Sequence, residues 1–81
     1  MTDVLELPKD LVLNLPRITM VGNIQLTIEN HRGVILYSDR RIRVAVSRGE
    51  FIIEGQKLTL RSILPDAIII DGTITGISYI G

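Results

Sequence analysis

Along much of this chain the apolar residues recur at every second position. Ile24, Leu26 and Ile28 share one side, with Gln25, Thr27 and Glu29 on the other. Ile42, Val44 and Val46 alternate with Arg43, Ala45 and Ser47, and Leu58 and Leu60 alternate with Thr59 and Arg61. A period of two is the mark of an extended strand, whose successive side chains point to opposite faces of a sheet. Shorter apolar runs at Val34–Tyr37, Phe51–Ile53, Ile68–Ile70 and Ile74–Ile80 predict further strands. The last of these slips phase between Ile74 and Ile77, which predicts a bulge at Gly76.

Turn residues separate these runs. Asn30-His31-Arg32-Gly33, Ser38-Asp39-Arg40, Ser47-Arg48-Gly49-Glu50, Gly55-Gln56, Leu64-Pro65-Asp66 and Asp71-Gly72 all read as turns. Gly33 is expected to supply a positive φ in the first, and the third is a tight hairpin signal. The pattern predicts an all-β fold of about seven short strands. The connections are too short for crossover helices, so the sheet should be antiparallel. A sandwich or open barrel fits, and the regular spacing also permits a short β-solenoid.

The first 16 residues differ. They hold Pro8 and Pro16 and are rich in leucine. Pro8 in a first helical position suggests one or two helical turns, whereas alternation of Leu11, Leu13 and Leu15 suggests a strand; the helix is the preferred reading. The expected organisation is an N-terminal segment, 1–16, packing on a single β domain, 17–81. Ile52-Ile53 and Ile68-Ile69-Ile70 do not alternate, so both faces of those strands call for burial. Either the N-terminal segment or another subunit would cover the second face.

Composition narrows the function classes. An 81-residue chain is one domain, and so short a chain buries only roughly 60% of its unfolded surface. There is no cysteine, which excludes disulfides and thiolate metal sites and fits a reducing cytoplasm. His31, the only histidine, cannot form a multi-histidine metal site within one chain. Asp3, Glu6 and Asp10 give the first residues the wrong sign for a signal peptide. No apolar run approaches the ~20 residues of a spanning helix, so membrane association is expected to go through a partner.

Nine acidic and nine basic residues balance, which argues against nucleic-acid binding by bulk electrostatics and favours self-association. The balance is not local: Arg32, Arg40, Arg41, Arg43 and Arg48 face only Asp39 within residues 31–48. This arginine-rich segment could bind phosphate or an acidic surface. Its plain alternative is an outward strand face paired with Glu29, Glu50 or Glu54. Tyr37, Phe51 and Tyr79 are the only aromatics, and they do not interleave with the basic residues as stacking platforms would.

No catalytic constellation is visible. Glu50, Glu54, Asp66 and Asp71 lie beside turn residues, where solvated carboxylates are common. A serine nucleophile would need His31 as base with an orienting carboxylate, and no serine sits in an elbow-like context. Phosphate-loop and dinucleotide fingerprints are absent. Neither enzyme activity nor a cofactor is expected. His31 within Asn30-His31-Arg32-Gly33 reads either as an ordinary turn or as a partner-contacting loop.

Larger stretches carry a resemblance. Leu15-Pro16-Arg17-Ile18-Thr19-Met20-Val21-Gly22-Asn23 and Ile28-Glu29-Asn30-His31-Arg32-Gly33-Val34 come first. Gly49-Glu50-Phe51-Ile52-Ile53-Glu54-Gly55-Gln56-Lys57-Leu58, Ile63-Leu64-Pro65 and Gly72-Thr73-Ile74-Thr75-Gly76-Ile77 follow. Together they resemble the YabP/YqfC family of bacterial sporulation proteins, and the Glu-Asn-His-Arg-Gly segment is the more branch-specific part. The resemblance implies a non-enzymatic role in endospore formation, in coat or envelope assembly, with a membrane-anchored YqfD-like sporulation protein as partner. It implies placement in the mother-cell cytoplasm or peripherally at the forespore membrane. The family supplies no catalytic residue or cofactor. The candidate partner-binding residues are Asn30, His31, Arg32 and Gly33, with Arg41 and Arg43 added from the arginine-rich strand.

Overall fold

A computed structural model describes residues 15–81, and the expected helical turn after Pro8 lies outside the described residues. Six strands follow one another: β1 (Arg17–Val21), β2 (Gln25–Glu29), β3 (Gly33–Tyr37), β4 (Arg41–Val46), β5 (Gly49–Ile63) and β6 (Ala67–Ile80). All pairings are antiparallel, in one sheet of order β1-β2-β6-β5-β4-β3. The all-β antiparallel expectation holds. The solenoid alternative does not fit, because strands far apart in sequence pair directly, Ile28 with Ile68 among them.

Three differences from the expected strands have physical causes. Ile18-Thr19-Met20-Val21 forms part of β1 and pairs with β2, although the predicted strands begin only at Ile24. The fourth and fifth expected strands are one, β5, and the sixth and seventh are one, β6. Gly55 and Gly72 therefore do not end strands. They sit where the β5–β6 ladder shifts register: Glu54 pairs Gly76 while Gly55 pairs Ile74, and Gln56 pairs Thr73 while Thr59 pairs Asp71. A Cβ on Gly55 would collide with the Thr73 carbonyl oxygen. At Gly72, with φ of +140°, it would lie 2.7 Å from the Lys57 carbonyl oxygen. Both glycines permit close backbone approach at a bulge. The bulge expected at Gly76 is there, with Thr75 as the unpaired residue.

The long β5–β6 hairpin is shared between two halves. At one end, Gly49–Glu54 of β5 pairs with β4, and β3 lies outside β4. At the other end, Ala67–Asp71 of β6 pairs with β2, and β1 lies outside β2. The bulges at the middle bend the ladder between them, since extra residues kink a strand and increase its twist. Register places Leu26 and Ile28 beside Ile70 and Ile68 in one half, and Ile42 beside Ile53 in the other. These residues, with Val44, Leu58 and Ile74, form a single buried cluster. Most are completely inaccessible to solvent, and among the described residues no polar side chain is buried with them.

Of the expected turns, Gly55-Gln56 and Asp71-Gly72 lie inside strands, while those at 38–40, 47–50 and 64–66 are present. Ser47-Arg48 closes the β4–β5 hairpin, with Val46 paired to Gly49. At Leu64-Pro65-Asp66 the Leu64 N–H donates to the Ala67 carbonyl at 2.7 Å. Asn30-His31-Arg32 differs. It joins β2 to β3, which are not neighbours in the sheet, and so carries the chain from one half to the other. The positive φ belongs to Asn30, at 64°, and not to Gly33 as expected. Asparagine tolerates this left-handed conformation better than most residues, and Gly33 is already an ordinary strand residue.

Candidate functional site

The six residues singled out in the sequence fall into two places. Asn30, His31, Arg32 and Gly33 occupy the connection between the halves and the start of β3. Arg41 and Arg43 lie on β4, one strand inward.

Asn30 is tied into the fold. Its N–H donates to the Asp66 carbonyl at 2.6 Å, and its Nδ2 donates to the Leu15 carbonyl at 3.0 Å. These bonds draw the start of the domain and the β5–β6 turn onto the end of β2. Arg32 is exposed, and its backbone N–H donates to the Ala45 carbonyl at 2.7 Å. His31 is half-buried, with an Nδ1 atom that is buried and lacks a hydrogen-bond partner. A histidine working as general base in a triad has that atom held by a carboxylate, and here it is not.

Arg41 and Arg43 project from the outer face of β4, Arg41 opposite Glu54 of β5 and Arg43 diagonal to Glu50, which lies opposite Ala45. Arg41 Nη2 lies 2.9 Å from Glu54 Oε2. Arg43 Nε donates to Glu50 Oε1 at 2.8 Å, and its Nη2 lies 2.6 Å from the same oxygen. Cross-strand neighbours of opposite charge pair in this way on any sheet face. Part of the positive charge of the segment is therefore balanced locally. Among the described residues no group of three metal-ligating side chains exists and no pocket opens in the surface. No helix of the described residues is long and apolar enough to cross a membrane.

The accessible apolar residues were not picked out from the sequence, and they cluster on strand edges. Ile35, Leu36 and Tyr37 of β3 are 49%, 40% and 52% exposed. Ile77, Tyr79 and Ile80 are also exposed, at the end of β6 beyond its pairing with β2. Tyr79 stacks at a tilt on Phe51, with ring centroids 5.1 Å apart, and its hydroxyl donates to the Arg48 carbonyl at 2.7 Å. Ile63 and Leu64 are exposed at the corresponding end of β5. The signal was the five-residue run Gly33–Tyr37, which contains neither charge nor proline. Natural edge strands carry charge, proline or a bulge against edge-to-edge pairing, and β3 has the bulge, its pairing with β4 shifting between Val34 and Leu36.

Comparisons with known proteins agree with the likeness read from the sequence. The model of the YabP family matches residues 14–81. A Bacillus subtilis (strain 168) protein, "Uncharacterized protein YqfC", is 42% identical over 80 residues, covering 99% of this chain and 86% of that protein. No solved structure matches. A family model spanning most of the chain and a relative aligned nearly end to end lead to one conclusion: the chain belongs to the YabP family.

Proposed function

We propose that this protein is a non-enzymatic assembly factor or adaptor in endospore formation, working in coat or envelope morphogenesis. Family membership points to a sporulation-related protein. In this reading the domain associates with itself and docks a membrane-bound, YqfD-like sporulation protein from the mother-cell side. One observation supports it above the rest: apolar side chains stand exposed along open strand edges, in Ile35, Leu36 and Tyr37 of β3 and in Ile77, Tyr79 and Ile80 of β6. Open edges with apolar side chains favour added strands and protein contacts over small-molecule chemistry.

Anion binding by residues 40–48 is the weaker reading, because Arg41 and Arg43 already pair with Glu54 and Glu50. The test is co-purification from sporulating cells, with a tagged chain as bait and the YqfD-like membrane protein as the named prey. Retention of that protein, together with a sporulation defect on deletion of this chain, is the expected result. Normal spores from the deletion strain would overturn the reading.

A further inference from the structure

Among the described residues, strand edges lie open on the outer sides of β1 and β3 and where the β5–β6 hairpin runs past its neighbours. Those last stretches are residues 59–63 of β5, beyond β4, and residues 75–80 of β6, beyond β2. Every edge but one carries a feature that resists an added strand. β1 follows Pro16 and begins with Arg17. β3 is bulged between Val34 and Leu36. Residues 59–63 include Arg61 and shift register between Leu60 and Ser62. The end of β6 has none of these: residues 76–80 pair with residues 50–54 without a shift, and they hold neither charge nor proline.

The ladder fixes which backbone groups this edge presents. Ser47-Arg48 is a two-residue turn, so Val46 and Gly49, which flank it, form a hydrogen-bonded pair. Such pairs alternate with non-hydrogen-bonded ones, and Phe51 and Ile53 therefore turn their N–H and C=O towards β4. The Gly55 N–H, which donates to the Arg40 carbonyl at 3.0 Å, keeps the same phase. Glu50, Ile52 and Glu54 are left to bond β6, through Ile80, Ser78 and Gly76. The backbone groups of Ile77 and Tyr79 point the other way, out of the open edge.

Ile77 and Tyr79 stand symmetrically about Ser78, so the edge is complementary to itself when turned around. With a second β6 antiparallel and Ser78 opposite Ser78, Ile77 of each copy meets Tyr79 of the other, and the outward N–H and C=O groups of both residues find partners. Ser78 then lies on the dyad in a non-hydrogen-bonded pair, where side chains approach most closely, and it is small enough to fit. Ile80 of one copy lies over Gly76 of the other, where a Cβ would meet nothing within 4 Å. On the inner face Ile77 and Tyr79, 37% and 51% exposed, cover one another as an aliphatic–aromatic cross-strand pair. Tyr79 is already held by Phe51 and the Arg48 carbonyl, so its ordering costs little. No charged side chain follows Asp71 to repel its copy.

We propose that the open end of β6 is a homodimerisation site, at which the β6 strands of two copies pair antiparallel about a dyad at Ser78 and one sheet runs through both. The arrangement is isologous and closes at two copies. The inference deepens the self-association part of the proposed function and rests on it.

The experiment is light scattering on size-exclusion fractions, over a concentration series, with thermal melting as a check on folding. The unmodified chain should reach dimer mass and stop there. Ser78→Lys and Ser78→Asp each set like charges against one another across the dyad, on an exposed side chain whose backbone bonds to β5 are unchanged. Each alone should weaken dimerisation by roughly tenfold or more. An equimolar mixture of the two should restore the dimer, because opposite charges then meet. Ser78→Cys gives the cysteine-free chain one thiol, and the Cα spacing of a non-hydrogen-bonded pair, roughly 4.5 Å, suits a disulfide. Mild oxidation should link it into a covalent dimer, and should not link Thr59→Cys, whose side chain is exposed on β5. The thiol pair keeps the test decisive if the charged variants prove unstable.

A monomer at every concentration would overturn both the site and self-association. A dimer undiminished in both folded charge variants, or a mixture that stays monomeric, would overturn the β6 dyad and leave self-association standing. Cross-linking of Ser78→Cys no better than that of Thr59→Cys would do the same. Masses that grow beyond two copies would overturn the closed dimer.

Discussion

In the β1–β2 half the inward rows of side chains are wholly aliphatic or thioether. Ile18, Ile28 and Ile68 lie across one row, and Met20, Leu26, Ile70 and Leu60 across the next. Its outward face is charged as well: Arg17 faces Glu29, Thr19, Thr27 and Ile69 form the next row, and Asp71 accepts from Gln25 Nε2 at 3.3 Å and lies 3.7 Å from Arg61 Nε. In the β3–β4 half the inward rows end in aromatics, with Tyr37, Ile42, Ile53 and Ile77 in one and Val34, Val44, Phe51 and Tyr79 in the other. Its outward face bears both glutamate–arginine pairs. Each half is built the same way, from a hairpin laid against part of β5–β6, and each carries charges outside, yet the aromatic rings all lie on one. The interior is common property, while the surface distinguishes the halves.

The sharpest way to break this arrangement is at the joint. Gly55→Val places a branched side chain against the Thr73 backbone, which cannot retreat without breaking the ladder. We expect loss of the folded state, read by circular dichroism; a native spectrum with a normal melt would show that the close approach is dispensable.

Core truncations come next. Ile28→Ala and Ile42→Ala each empty part of the shared cluster, one from each half, and each should cost about 2–5 kcal/mol in denaturant unfolding. Both variants should unfold in one transition. Two separated transitions would mean that the halves are independent.

Asn30 tests the connection between them. Asn30→Gly keeps the left-handed backbone but removes the bond to the Leu15 carbonyl, at a cost of about 1 kcal/mol. Asn30→Ala also meets the left-handed conformation and should cost more, roughly 1–2 kcal/mol beyond it. Equal melting points would remove the conformational part of the explanation.

The smallest effects are on the outer face. Arg43→Ala should cost about 1 kcal/mol, because its partner carboxylate is only 16% exposed. Arg41→Ala should cost no more than about 0.5 kcal/mol, since both members of that pair are well solvated. A double-mutant cycle with Glu50 and Glu54 separates pairing from packing, and a larger coupling for Arg41 would reverse the ranking.

Much of this fold can be read from alternation. β2 and β4 lie where a period of two places them, because each has one face on the core. The length of β5 and β6 could not be read, and the glycines are the reason. Gly55 and Gly72 permit backbone contact inside a ladder, yet in a single chain a glycine there looks like one that ends a strand. In the two-faced isoleucine runs, Ile53, Ile68 and Ile70 are buried, while Ile52 and Ile69 are half-buried on the outer face.

The candidate site divides along the same line. Arg41 and Arg43 were legible as a strand face; register sets Glu54 opposite Arg41, while Arg43 reaches diagonally to Glu50. The β3 edge was less visible, because Val34-Ile35-Leu36-Tyr37 reads equally well as an interior strand. Only the strand order, which depends on partners distant in sequence, makes β3 an edge.

The division of β5–β6 between two halves also bears on how the chain is made. β2 is synthesised before β3, β4 and β5, but its partner towards the sheet centre is Ala67–Asp71 of β6. The β1–β2 hairpin therefore lacks its β6 partner while β3, β4 and β5 are being made, with that side of Leu26 and Ile28 unfilled. Pairings of long sequence separation form slowly. The nascent chain must hold its first hairpin in solution until nearly the last strand has emerged, and only then can the two halves close together.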